Sequence, residues 1–310
     1  MTHTIHEHNR HYGWDNRLTP VVRIEPGAEI EFKCEDSSGG QLHPGSTPIA
    51  LTQLDFGKLN PTVGPVYVEG AKPGDALAVR ILNFGPIASG WTAIIPGFGL
   101  LAEQFTKPHL HWWGFGQRGS ASAAFGSMAR VPIRPFPGTI GLAPAEPGVH
   151  SVVPPRRVGG NLDIRDLVAG SVLYLPVEVE GALLSVGDLH AAQGDGEVCG
   201  TAIECSMDVA VSLTLVKNAN LPAPRFQCQR SISPELDSKG YEVTTGVGSD
   251  LMRGAKDAVS YMIDLLCSQH GLSPEEAYML CSVCGNLRIS EIVDVPNWVV
   301  SFYFPRAVFD

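Results

Sequence analysis

The sequence predicts a mainly β fold of sandwich-like or barrel-like modules, with a small α+β portion and two helices near the C-terminus. Three observations carry that prediction. Short runs alternate apolar and polar residues, as half-buried strands do, and turns containing Gly or Pro-Gly separate them. Glycine and proline number 34 and 24 among 310 residues, which suits many short strands joined by tight turns. Helical spacing becomes clear only after about residue 248.

The elements follow in order. Residues 1–20 carry His3, His6, His8 and His11, which offer metal ligands, although a polar terminus of this kind is expected to be mobile. Residues 20–34, PVVRIEPGAEIEFKC, read as a hairpin of half-buried strands around Pro26-Gly27. Residues 64–82 repeat the plan around Pro73-Gly74-Asp75, and residues 162–179 read as a third unit turning at Gly170. Between the first two units, Asp55 and Asn60 lie in loop-like stretches where they either reach a site or satisfy their own backbone in turns. His109 and His111, two apart in HLHWW, offer a second metal pair or, beside Trp112 and Trp113, part of a packed aromatic patch. Residues 131–161 are dense in Pro and Gly and read as a long irregular segment, the kind of loop that carries function. Asn161 and Asp163 at its end are placed to line a site from a second direction.

Ser249 is positioned to cap a helix in which Leu251, Ala255, Ala258, Val259, Met262, Ile263 and Leu266 recur at helical spacing, closed by Gly271. Ser273-Pro274-Glu275-Glu276 opens a second helix, with a capping box and proline at its first position, running to about Cys284. Trp298 to Phe304 is a final strand. These readings suggest a β-sandwich-like part at 1–165 and a β-rich part at 166–310 holding the two helices.

The formal net charge of −10, spread without a basic run, argues against nucleic acid and anionic membranes as partners. No stretch approaches the ~20 apolar residues of a bilayer span, and the N-terminal residues lack the apolar region of a signal peptide, so a soluble cytoplasmic protein is expected. Seven scattered cysteines suit a reducing compartment better than a disulfide framework. Cys281 and Cys284 form a CxxC without the second CxxC that a zinc site would bring.

The chemistry concentrates in residues 181–204, GALLSVGDLHAAQGDGEVCGTAIE. Its first half reads as a strand, in which Asp188 and His190 share a face roughly 6 to 7 Å apart. A glycine-rich turn, Gln193 to Gly196, leads to Glu197, and a second apolar run from Val198 to Val216 contains Glu204, forming a central hairpin. Asp188, His190, Asp195, Glu197 and Glu204 are thus close in sequence, able to hold a divalent ion that polarises a carbonyl and activates water. The plainer alternative is a buried network in which Asp188 orients His190 and the glycines only shape a turn. A thiolate at Cys199 is a different route, without a nearby lysine in sequence to support it.

Several segments together resemble the acetamidase/formamidase family nearly end to end. They are HYGWDN at 11–16, NPxxGPVYVEGAxPGD at 60–75, PFPGTIG at 135–141, GGNLD at 159–163, GDLHAAQGDGE at 187–197 and AYMLCSVCGNLRI at 277–289. The resemblance implies a mostly β enzyme that hydrolyses short aliphatic amides such as formamide and acetamide to ammonia and a carboxylate. In such proteins the last motif commonly reads Ser-Val-Ala-Gly-Asp, so Cys284 and Asn286 are departures, and variation at the position of Cys199 argues against a thiol nucleophile.

On this resemblance, Asp188 and His190 are expected as metal ligands, with Glu204 and Asp55 completing the set, and Glu197 as general base. Asn161, Asp163, Gln193 and Asn60 are expected to bind substrate, with Asn161 or backbone amides of the 193–196 turn as donors to the oxyanion. Zinc suits an Asp/His set, and calcium or magnesium a carboxylate-rich one. The implied partner is a small amide, and the apolar helices and chain length suggest a symmetric homo-oligomer. Two other readings stand beside this one: a metal-dependent hydrolase of a cyclic amide, carbamate or larger amide, and a relative that binds a small molecule without turning it over.

Overall fold

The structure, a computed structural model, describes residues 2–115, 121–228, 234–292, 296 and 298–309. Its strands gather mainly into two large sheets. One has six strands in the order Thr2–Ile5, Glu29–Cys34, Met207–Val216, Ala76–Phe84, Val172–Pro176 and Arg225–Gln227. The other has nine and is centred on Leu184–His190, which pairs with Phe136–Gly141 along one edge. Along its other edge the central strand changes partner, from Thr62–Val68 beside its first half to Glu204–Cys205 beside its end.

The two sheets share one apolar core. Phe32, Val79 and Leu213 enter it from the first, and Val66, Ile140 and Val186 from the second, all buried. Met207–Val216 shows how sequence sets this: Met207, Val209, Val211 and Leu213 are buried while their neighbours Asp208, Ala210 and Ser212 are only partly so, the period of a strand with one face inward. Fully burying each such side chain contributes about 1.5–3 kcal/mol.

The C-terminal portion adds a three-stranded antiparallel sheet, Tyr241–Gly248, Trp298–Pro305 and Asn286–Glu291. The Leu251–His270 helix packs its Ala258, Val259, Met262 and Leu266 face against this sheet. Its cap is Asp250, not Ser249, because the Asp250 carboxylate accepts the Arg253 N–H at 2.8 Å. Gly271, at φ 67°, ends it in the left-handed conformation that glycine tolerates. The Pro274–Cys284 helix has the expected capping box between Ser273 and Glu276 and lies between Ser89–Ile94 and Trp298–Pro305.

Several expected hairpins are instead crossings between sheets. Val22–Ile24 pairs in parallel with Thr62–Val68, whereas Glu29–Cys34 enters the other sheet, so Pro26-Gly27 spans the sandwich. Pro73-Gly74-Asp75 likewise carries Thr62–Val68 over to Ala76–Phe84. Half-buried alternation looks the same whether the next strand is a neighbour or lies opposite, which is why the pattern could not tell them apart. The third unit contributes only Val172–Pro176 as a strand, and residues 162–168 are irregular. The central hairpin is short: His190 pairs with Glu204, Ala191 N–H bonds the Ile203 carbonyl and Ile203 N–H the Ala192 carbonyl, after which Met207–Val216 crosses to the other sheet.

The proline-rich 131–161 segment contains a central strand, Phe136–Gly141. Pro137 is tolerated because the neighbour on its second side, Gly159–Asn161, pairs only with residues 139–141. The N-terminal segment is not a mobile tail: Thr2–Ile5 pairs with Glu29–Cys34, and Trp14 is 2% exposed. Both large sheets draw strands from either side of residue 165, so the expected division there does not divide the sheets.

Candidate active site

The site opens where the ladder fails. Leu184–His190 pairs through Gly187 with both neighbours and again at Leu189 and His190, while no register pair falls on Asp188. There the backbone turns left-handed, with φ 52°. Asp188 and His190 do converge, as simple alternation suggested, but across a kink: His190 Nε2 lies 3.2 Å from Asp188 Oδ1 and 3.2 Å from Glu204 Oε2. His190 Nδ1 donates to Gln193 Oε1 at 2.9 Å, which turns Nε2 toward the two carboxylates.

Asp163 and Glu197 approach from other directions. The carbonyl of Gly138 accepts the N–H groups of Leu162 and Asp163, which holds the irregular 162–168 segment against the central strands. Ligand atoms of Asp163, His190 and Glu197, and of Asp188, His190 and Glu204, form two sets, each with its atoms within 4.8 Å of one another. These are candidate metal-binding groups, with His190 common to both. Asp163 Oδ1 is buried and has no hydrogen-bond partner, a costly state for a carboxylate oxygen unless a ligand completes it.

Strain marks the same residues. Asn60, Asp163, Asp188 and Glu197 all have positive φ, between 44° and 52°, where non-glycine residues are uncommon. Left-handed backbone held this way costs of order 1–3 kcal/mol at each position, and it gathers where side chains are aimed at a ligand.

Electrostatics follow from crowding acids around one imidazole. Burial, reinforced by Asp188 and Glu204 and opposed by His190, pushes Asp163 up to about 7. Burial, then Asp163, raises Glu197 well above the usual carboxylate range. Glu197 is only half-buried by surface, because the cavity reaches it, yet protein encloses it over the distance on which water solvates a charge. Glu204 is raised by burial and by Asp188. Burial pushes Asp188 the same way, but the charge and hydrogen bonds of His190 outweigh it and hold Asp188 below its ordinary value. The two carboxylates beside His190 are thus pushed in opposite directions. Burial opposes the charge on His190, while Glu204 and then Asp188 raise its pKa well above the ordinary imidazole value.

These groups border a cavity of about 130 Å³ whose wall includes Asn60, Asn161, Asp163, Asp188, Glu197 and Glu204. Asn161 borders the cavity, and its Oδ1 accepts from Thr139 Oγ1 at 2.7 Å and from Asn60 Nδ2 at 3.3 Å, so its NH2 is the end left to donate. Asn60 Nδ2 also donates to Asp188 Oδ2 at 3.2 Å. Gln193 is buried, does not border this cavity, and holds His190 through its Oε1. Two of the turn amides are committed elsewhere, Gly194 N–H to Ser282 O and Asp195 N–H to Asn286 Oδ1, which removes them as oxyanion donors.

Asp55 does not join the site. Its exposed carboxylate caps Gly57 N–H and lies 3.4 Å from Lys58, while its neighbours Leu54 and Phe56 border the cavity instead. Cys199 is buried, donates to the Ala93 carbonyl, and burial lifts its pKa to about 11, so it is no thiolate. Cys281 and Cys284 are free and buried in their helix. His111 packs against Phe125 and Trp113, with ring centroids 4.1 and 4.7 Å away, as an aromatic patch. His11 bonds Ser185 Oγ at 2.8 Å, and none of the four N-terminal histidines belongs to a metal-binding group among the described residues.

Sequence reading missed two polar contributors. Ser37 Oγ donates to Glu204 Oε2 at 2.8 Å, and nothing local marked it. Thr139, inside the PFPGTIG segment, touches both Asn161 and Asp188.

The profile of the acetamidase/formamidase family matches residues 1–149 and 145–310. The chain belongs to the acetamidase/formamidase family. It is therefore an amidase, which hydrolyses an amide C–N bond to ammonia and a carboxylate. The amidase is 28% identical to a formamidase of Methylophilus methylotrophus, over 98% of this chain and 89% of that protein. Its fold matches that of a gamma lactamase from Delftia acidovorans with a TM-score of 0.89 at 27% identity, over 97% and 90% of the two chains. An acetamidase from Bacillus halodurans matches with a TM-score of 0.69 at 31% identity, over 97% and 96%. Among the described residues, no helix is long and apolar enough to cross a membrane.

Proposed function

We propose that this amidase hydrolyses linear amides, formamide and acetamide among them, with a divalent ion held by Asp188, His190 and Glu204. The observation that carries the reading is the buried acidic cluster around His190, in which Asp163 Oδ1 lacks any partner. So many carboxylates drawn together without water repel one another, and a dication is the group that relieves them. Zinc suits the imidazole and two carboxylates, and the further acids would also accept calcium or magnesium. Such an ion supplies Lewis acidity toward the carbonyl and makes a neighbouring water more acidic.

The chain's own groups do the rest. Asn161 NH2 donates to the carbonyl oxygen and orients the amide. Glu197, with its raised pKa, takes the proton of the attacking water. The water oxygen bonds to the carbonyl carbon, the C–N bond breaks, and Glu197 returns the proton to the departing nitrogen. Asp163 sits beside Glu197 and His190 and hydrogen-bonds the substrate NH2. Cys34, Cys199 and Cys281, buried and outside any disulfide, suit the cytoplasm, and exposed Val149, Ile49 and Met252 suit contacts between copies in a homo-oligomer.

The test is ammonia release from formamide and acetamide after chelation and then after adding zinc. Loss and recovery support the reading. Full activity after verified metal removal would leave the hydrolysis to the carboxylates alone. The closer fold match to the gamma lactamase favours a second reading, opening of a cyclic amide, detected as an amino acid product without ammonia.

A further inference from the structure

The cavity has two chemically different ends. Asp188 and Glu204, each 3% exposed, lie at its floor. Phe56, Phe98 and Val153 border the same cavity and are 63%, 45% and 45% exposed, so they stand at its mouth. Leu54 and Ile95 continue the apolar wall inward from the two phenylalanines. This wall comes from loops, whereas most of the acids come from the central strands and the turn that joins them, the usual division between chemistry and specificity.

Size points the same way. The cavity measures about 130 Å³, of the order of the ~150 Å³ cavity that takes up benzene. Formamide or acetamide would fill only part of it and leave the apolar wall wet. Phe98 is not an incidental surface residue. Its ring packs against Gly200, whose N–H bonds the Glu197 carbonyl at 2.7 Å, so the wall is built directly onto the turn carrying Glu197.

We propose that this amidase is shaped for primary amides whose acyl group is apolar and longer than acetyl, covered at the mouth by Phe56, Phe98 and Val153. The inference rests on the amide end lying among the acids of the floor. The acyl chain then runs outward along Leu54 and Ile95, and each added methylene leaves water for that wall.

The experiment compares kcat/KM for formamide, acetamide, butyramide and hexanamide on metal-replete enzyme. From acetamide to hexanamide it rises about fourfold per methylene, the transfer free energy of one buried CH2 expressed as a rate. Phe98→Ala and the milder Phe98→Leu flatten that slope. A constant or falling kcat/KM beyond acetamide, as when a second copy of the chain covers the mouth, overturns the inference and leaves the amidase intact. A slope unchanged in both Phe98 variants overturns the assigned wall. No ammonia from any member of the series overturns the amidase reading, and the inference with it.

Discussion

His190 Nε2 and Glu204 Oε2 lie 3.2 Å apart on residues that are register partners in the nine-stranded sheet. On the edge where Thr62–Val68 ends at Gly187, pairing resumes at this residue pair, whose two side chains face the site. Glu204 is fixed further by Ser37 Oγ and by the Ala202 N–H, at 2.8 Å each. A carboxylate accepting this many hydrogen bonds has little freedom, which preorganises the cluster before any ligand arrives.

Asp188→Asn is expected to abolish ammonia release with the fold retained. Asparagine tolerates the left-handed backbone found at this position, so the change removes charge without adding strain. Activity, bound metal and circular dichroism check it together. A folded variant with wild-type turnover would require the site to be rebuilt around other residues.

Gly138→Ala should damage the site from behind. A Cβ there would stand 2.7 Å from His190 Cε1 and 2.8 Å from Asp163 Oδ1, so imidazole and carboxylate must both move. Misplacement on this scale costs about 100-fold in kcat, with about 1–3 kcal/mol of stability lost to overpacking. Rates and urea melts measure the two losses separately.

Ser282→Ala should loosen the segment that follows Glu197. Ser282 Oγ accepts the Cys199 N–H at 3.2 Å and donates to the Thr201 carbonyl at 2.7 Å. The Cys199 N–H would be left buried and unpaired, at about 1–3 kcal/mol, and the Thr201 carbonyl would keep only the weak Cys199 Sγ–H donor. Because the Pro274–Cys284 helix splints this segment, kcat is expected to fall more than KM rises, as steady-state kinetics would reveal.

His111 should make the protein sensitive to acid. Burial lowers its pKa from 6.5 to about 4. The folded state resists a proton that the unfolded chain accepts, so stability is full above 6.5 and is lost as pH falls toward 4. His111→Phe keeps the aromatic packing and removes the titration, so its melting temperature should fall less over that interval than the wild type's.

The sequence by itself determined the family, the concentration of chemistry between Asp188 and Glu204, and both C-terminal helices. Those features are local: a capping box, a C-terminal glycine and a motif are each written within a few consecutive residues. Tertiary structure decided which strands pair, because alternation records one buried face without naming the partner. It also decided the site's full membership. Ser37, Thr139 and the Asn161–Asp163 segment converge on the site from separate parts of the chain, while Asp55 faces solvent beside Leu54, which lines the cavity. The gap at Asp188 and its left-handed backbone fall where Thr62–Val68 gives way to Glu204–Cys205 along one edge and Phe136–Gly141 skips the Gly138 pair along the other. Long-range sheet pairing imposes that conformation, and no local propensity of aspartate would select it.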